Sequence, residues 1–146
     1  MKLLASNWTF WALLSAAFAA LTAIFAKVGV SGVNSDFATF LRTLVVIAAL
    51  AAILTALGEW RPLNSIPPRT YLFLTLSGLA TGASWLCYFR AMQLGDAAKV
   101  APIDKLSVAM VAIFGVSFLG ESLSAINWVG VGLISAGAIF AAHKGG

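Results

Sequence analysis

The sequence predicts an all-α membrane protein of five transmembrane helices, on the basis of its composition and of five long apolar segments separated by turn-forming residues. Hydrophobic residues make up 61% of the 146-residue chain and charged residues only 10%, with a mean hydropathy of +0.97. Soluble domains run nearer a quarter charged, because a folded surface must be wetted. So few charged side chains cannot coat a globular exterior of this size. The apolar residues are therefore expected to face lipid.

Each of the five segments is long enough to cross a membrane. A helix needs about 20 apolar residues to span a hydrocarbon core roughly 30 Å thick. The predicted spans cover approximately residues 8–27, 37–57, 71–93, 100–120 and 123–142. The breaks between them agree with this division, since the second loop contains Pro62, Pro67 and Pro68, and proline disfavours helix. Residues 1–146 are therefore interpreted as one five-helix transmembrane domain.

The N-terminal segment has a second interpretation. Lys2, an apolar stretch and the small-residue pattern at 17–19 resemble a secretory signal peptide. The apolar run continues without a charge to Ala26, which is long enough to span a membrane. We therefore interpret this segment as the first transmembrane helix.

Several functional classes find no support in the sequence. The single cysteine, Cys87, excludes an internal disulfide or a cysteine-based metal site, and the single histidine, His143, argues against a histidine-ligated metal. The basic residues are scattered singly, which is not typical of nucleic-acid binding. Nucleotide-binding and hydrolase motifs are missing from the chain. We expect neither an enzyme nor a metal, cofactor or nucleic-acid partner.

The loop charges do not favour one orientation in the membrane. Five spans place the termini on opposite sides, and the loop cations then number three against three. Those on the N-terminal side are Lys2, Arg61 and Arg69, and those on the other side are Lys27, Lys99 and Lys144. Arg42, Arg90 and Lys105 lie at those ends of their helices that are nearest the membrane side of the C-terminus. Counting them with the loop cations of that side mildly favours a cytoplasmic C-terminus. Insertion in both orientations stays open.

Five charged residues fall inside the predicted spans or at their ends, where a charge must snorkel, pair or meet water. The long side chains of Lys27, Arg42 and Arg90 can snorkel or pair structurally, and for Arg42 a functional role is equally open. The short carboxylate of Asp104 cannot snorkel far, so Asp104 and the adjacent Lys105 are expected to line the substrate path. Arg42 and Arg90 are its candidate partners, and Asp104 is also a candidate for ion coupling.

Two aromatic residues indicate a binding surface in the third span. Trp85 and Tyr88 are three residues apart, on one helix face near Arg90. Aromatic rings beside a cation can hold a flat or zwitterionic solute, although plain core packing explains them too. Pro102 occupies either the first turn of the fourth helix or, if that helix starts near Ala98, a position that loosens the backbone beside Asp104.

Several passages resemble the EamA-type drug/metabolite transporter superfamily, and most of all its short five-helix bacterial and archaeal branch. The most specific are GDAAKVAPIDKLSV at 95–108 and FLGESLS at 118–124. The passages at 26–43 and 88–95 and the final span resemble the same branch, so the resemblance covers essentially the whole chain. Lys27, Arg42, Arg90, Asp104, Lys105 and Glu121 fall within these passages, and Glu121 is expected to close a tight turn.

The resemblance implies one EamA-like repeat unit, which longer members carry twice in inverted orientation with the substrate path between the copies. It implies a secondary transporter, an exporter or exchanger of a small metabolite, amino acid or drug-like solute, that works by alternating access in the inner (plasma) membrane. The partner would be a second copy, for which an antiparallel arrangement is one option, or a paralogue. Independently of the resemblance, cations outnumber carboxylates among the charged residues near the membrane side of the C-terminus. This excess weakly favours anionic or zwitterionic solutes. The alternative is a non-transporting accessory or assembly subunit of a membrane complex.

Overall fold

The computed structural model describes residues 7–143, and all regular secondary structure in that range is helical. The helices are α1 (Trp8–Gly29), α2 (Ser35–Leu57), α3 (Pro68–Leu94), α4 (Ala97–Asp104), α5 (Ser107–Phe118) and α6 (Ala125–Ala142), with a 3₁₀ turn at Leu63–Ser65. Taken together, α4 and α5 form one span, Ala97–Phe118, so five segments are long and apolar enough to cross a membrane. The prediction of an all-α protein with five membrane-spanning helices is confirmed. Lys2 and Lys144, used in the charge count, lie outside the described residues.

Local chemistry explains where the helices begin and end. Helix α3 begins at Pro68, earlier than the predicted residue 71, because proline fits the first helical position, where its missing N–H costs little. Helix α2 ends at Leu57 and is capped by Gly58, whose φ of 65° is left-handed and suits glycine. Helix α6 begins after Ser124, whose hydroxyl accepts a hydrogen bond from the Asn127 N–H at 3.4 Å.

The fourth span is broken beside a proline. Pro102 lies inside α4, which begins at Ala97, so the first-turn position considered for this proline is excluded. Proline has no N–H to donate to the carbonyl four residues earlier, and its ring crowds that carbonyl. The next hydrogen bonds tighten to a 3₁₀ pattern, with Lys105 N–H on Pro102 O and Leu106 N–H on Ile103 O, both at 3.0 Å. The helix therefore stops at Asp104 and restarts at Ser107.

The chain divides into two compact units, Lys27–Gln93 and the remainder. In the Lys27–Gln93 unit, the end of α1, the first loop, α2 and α3 supply the buried residues Val30, Ser35, Thr39, Phe89 and Met92. In the other unit, α6 packs against both α4 and α5. Gly115 of α5 and Ala138 of α6 are buried there.

Most large apolar side chains of the described residues are exposed. Trp8 and Phe118 are each 79% exposed, and Leu94 is 80% exposed. A water-soluble monomer rarely shows such large apolar surfaces. In this chain they are the surfaces that face lipid or another membrane protein.

Asn34 caps the N-terminus of α2. Its side-chain oxygen accepts hydrogen bonds from the N–H groups of Asp36 at 2.9 Å and Phe37 at 3.1 Å. We expect Asn34→Ala to lower the free energy of unfolding by about 1 kcal/mol, because these two donors lose their acceptor. Unfolding by sodium dodecyl sulfate, followed by far-ultraviolet circular dichroism, measures the change. Asn64→Ala, in the exposed 3₁₀ turn, is the control, and equal unfolding of both variants would contradict the capping role.

Candidate functional site

Arg42 lies inside the second span with its cation against aromatic rings. It is about 10 Å along α2 from Ser35 and is half-buried. The guanidinium carbon is 3.6 Å from the ring centre of Trp85 and 5.4 Å from that of Phe89. Both separations are within the range of a cation–π interaction. The structure thus brings together two residues that the sequence analysis singled out separately.

The aromatic residues come from one face of α3. Trp85, Tyr88, Phe89 and Met92 follow the spacing i, i+3, i+4 and i+7, which places them on one side of a helix. Met92 is fully buried, Phe89 is 3% exposed, and Trp85 and Tyr88 are half-buried. We call Trp85, Tyr88 and Phe89 the aromatic wall. Phe89 was missed by the sequence analysis, although its position four residues after Trp85 could have indicated it.

The aromatic contact offsets only part of the cost of placing Arg42 in a span. A cation–π interaction contributes about 0.5–2 kcal/mol. An arginine at the centre of a membrane helix costs about 2.5–3.5 kcal/mol on insertion scales. Within Lys27–Gln93, all of whose residues are described, no carboxylate forms an ion pair with the guanidinium. The remaining cost must be met by water, by the membrane surface or by an anion.

Arg90 is not the cation of the aromatic wall. It is exposed, and five residues after Trp85 it lies roughly 140° around the helix. The cation is supplied instead by Arg42 from α2. The predicted role of Arg90 in a substrate path stays a prediction.

Two side chains connect the end of α1 and the first loop to the end of α3. The Lys27 ammonium donates a hydrogen bond to Met92 O at 2.7 Å, where a cation also suits the carbonyl end of the helix. The Gln93 amide donates to Val33 O at 2.5 Å and to Val30 O at 3.2 Å. Structural pairing, one of the interpretations considered for Lys27, is therefore present. Gln93 was not singled out from the sequence, although it lies within the passage 88–95 that resembles the family.

Replacing Gln93 tests this connection. We expect Gln93→Leu to lower the free energy of unfolding by about 1–3 kcal/mol, because two loop carbonyls lose their donor in a partly buried site. Unfolding by sodium dodecyl sulfate measures the change. Cys87→Ala, at an exposed position of the same helix, is the control. A Gln93→Leu protein as stable as the control would show that water replaces the amide at no cost.

In the other unit, Asp104 and Lys105 lie at the break between α4 and α5. The Lys105 ammonium is 3.1 Å from the Asp104 carboxylate, and the side chains are 55% and 37% exposed. This is the ion pair that Asp104 makes, so its pairing with Arg42 or Arg90 stays a prediction. A second ion pair, at 3.4 Å, joins Asp96 and Lys99 at the start of α4.

Glu121 lies in the turn between α5 and α6. Its N–H donates to Gly115 O at 3.1 Å, and its carboxylate lies where a Cβ on Gly115 would be, 2.5 Å from Oε2. Gly120, just before it, has a φ of 69°, which favours glycine. Glu121 also stands at an open, mainly apolar groove of about 540 Å³ lined by α5, α6 and the turn.

Comparisons with known proteins decide the family. The sequence profile of the EamA-like transporter family matches residues 6–142. The chain belongs to the EamA-like transporter family. A protein from a Sinorhizobium species, named an uncharacterized transporter in the cobO 3′ region, is 66% identical to it over 139 residues. The match covers 95% of this chain and 99% of that protein, so the relative has about the same length as this chain. No solved structure matches the chain.

As a member of the EamA-like family with five helices able to span, the protein is a multi-pass membrane transporter. Its two units carry different chemistry. The Lys27–Gln93 unit presents a cation on an aromatic wall, and the other unit presents a half-buried carboxylate at a break in a helix. The first arrangement can bind an anion, and the second can exchange a proton or a cation.

Proposed function

We propose that this EamA-like transporter is a secondary transporter, an exporter or exchanger of a small metabolite, amino acid or drug-like solute. The observation that carries the proposal is the Arg42 cation held over Trp85 inside a membrane span. Charges in spans are costly and generally mark a substrate or ion path. Glu121 and Lys27 have local structural contacts, whereas Arg42 lacks a carboxylate partner in its unit.

Alternating access is supported by the broken fourth span. Discontinuous helices in transporters place polar backbone and charged side chains near the substrate. Here Pro102 precedes the break, and Asp104 and Lys105 lie at it. A helix that already lacks regular hydrogen bonds at 105–106 can bend there at little cost.

We further propose that two copies of the chain, inserted in opposite orientations, form one transporter in the inner (plasma) membrane. The large exposed apolar surface of the described residues leaves room for a partner. The balanced loop cations favour neither orientation. The Sinorhizobium relative has a similarly short chain. This supports a transporter assembled from separate five-helix chains. A paralogous partner of opposite orientation is the alternative.

Counterflow in liposomes tests the proposed function. Purified protein is reconstituted alone, without ATP, into vesicles loaded with an unlabelled solute, and uptake of the same labelled solute is followed across a panel of amino acids, carboxylates and cationic drugs. A secondary transporter should give transient accumulation of at least one labelled solute. If no member of a broad panel exchanges, while the chain co-purifies with another membrane protein, the accessory-subunit alternative holds instead.

A further inference from the structure

We propose that Arg42 binds a carboxylate group of the transported solute, while the solute's apolar part lies against the aromatic wall of α3. The inference rests on the proposed transport function and names the substrate class for that site. It is carried by three features of the Lys27–Gln93 unit: the contact of Arg42 with Trp85, the lack of an internal anion, and the surroundings of the cation.

The contact with Trp85 fixes which side of the guanidinium remains available. At 3.6 Å from the ring centre, the central carbon is at van der Waals distance. An N–H edge pointing at the ring would bring a nitrogen too close, so the flat face of the guanidinium rests on the indole. The N–H groups then project sideways, in the plane that a carboxylate uses for two parallel hydrogen bonds. Trp85 thus orients the donors without consuming them.

The charge of Arg42 is unpaired within its unit. Neither acidic residue of Lys27–Gln93, Asp36 or Glu59, forms an ion pair with it. Thr39 and Thr43 on α2 donate their hydroxyls to Ser35 O and Thr39 O, both at 2.8 Å, and a neutral hydroxyl cannot balance the charge of a guanidinium. A half-buried cation without an internal anion is stabilised most by an anion supplied from outside.

The surroundings favour a singly charged organic anion. The Lys27 ammonium donates to Met92 O at the carbonyl end of α3, whereas Arg42 is the cation that contacts the aromatic wall. Cationic solutes would be repelled by Arg42. Trp85 and Tyr88 of the aromatic wall provide a half-buried, mainly apolar surface beside the charge, which suits a carboxylate that carries an aromatic or aliphatic group.

Binding of phenylacetate to the full-length protein tests the inference. The protein is placed in phosphatidylcholine nanodiscs, and binding is measured by calorimetry with phenylacetate and with its neutral analogue phenylacetamide. We expect Arg42→Gln to weaken phenylacetate binding at least about tenfold, because charge-assisted hydrogen bonds are lost. Arg42→Lys should weaken it less but measurably, since lysine keeps the charge and loses the planar fork. Binding of phenylacetamide should be weak and unchanged by either variant.

Arg69→Gln is the matched control, because Arg69 also lies near an aromatic ring, Phe73 at 5.8 Å, but in the first turn of α3. It should bind phenylacetate as the wild type does. Equal phenylacetate binding by wild type and by a folded Arg42→Gln protein would overturn the inference. The inference would also be overturned if phosphatidylglycerol in the nanodiscs displaced phenylacetate and co-purified with the wild type but not with Arg42→Gln. The anion bound by Arg42 would then be a lipid headgroup.

The inference and the proposed function can fail separately. Counterflow of a neutral or cationic solute that is unaffected by Arg42→Gln would leave the transporter in place and refute the carboxylate site. Arg42-dependent phenylacetate binding without counterflow of any solute would support the carboxylate site and refute the secondary transporter.

Discussion

Asp104→Asn is expected to reduce solute movement driven by a pH gradient at least tenfold in reconstituted vesicles. The carboxylate lies at the break between α4 and α5, is 37% exposed and has the Lys105 ammonium 3.1 Å away. The substitution keeps the size of the side chain and removes its charge, so it separates an ionic role of this carboxylate from a packing role. Charged groups inside spans generally mark substrate or ion paths, so removing this charge is expected to reduce coupled flux.

The same variant should leave exchange largely intact. Swapping labelled for unlabelled solute at equal pH needs no net proton movement, so its rate should stay close to that of the wild type. Asp96→Asn is the matched control, because Asp96 is also paired with a lysine, Lys99 at 3.4 Å, but lies before α4 begins and is 74% exposed. Unchanged pH-driven flux in Asp104→Asn would remove Asp104 from the path and leave the coupling site unassigned.

Pro102→Ala is expected to stabilise the protein and to slow transport about tenfold. Alanine supplies an N–H for the carbonyl four residues earlier and relieves the ring's clash, so the free energy of unfolding should rise by about 1 kcal/mol or more. A straighter fourth span would bend less easily at 105–106, where the hydrogen bonds have the 3₁₀ pattern. Thermal unfolding in detergent and counterflow rates measure the two effects.

Pro68→Ala is the control for this substitution. Pro68 occupies the first residue of α3, where a missing N–H costs little, so its replacement should change neither stability nor counterflow appreciably. If Pro102→Ala raised stability and left the counterflow rate unchanged, the break would be a static feature and not a hinge.

Much of the fold was predictable because lipid imposes a simple rule on sequence. Every spanning segment must satisfy its backbone internally and present apolar side chains, so composition alone located five helices. The break after Pro102 was harder to predict. Proline is tolerated in the first turn of a helix and disruptive later, and the sequence did not fix where α4 begins. Once the start is at Ala97, the position of the break follows.

The candidate site was predictable only in part. Trp85 and Tyr88 share a helix face by spacing alone, and a cation near them was expected. That the cation is Arg42 and not Arg90 depends on how α2 is placed and rotated against α3, which no local pattern records. The hydrogen bonds of Lys27 and Gln93 to main-chain carbonyls were unpredictable for the same reason. Backbone acceptors carry no sequence signature.

Measuring the membrane orientation of the C-terminus tests directly whether two oppositely oriented copies of this chain form one transporter. Two fusions are compared, one to a reporter active only in the cytoplasm and one to a reporter active only outside it. Comparable activity from both fusions is expected, because the proposed pair requires insertion in both orientations. Activity from one fusion alone would contradict the antiparallel pair of identical chains, and a paralogue of opposite orientation would then be required.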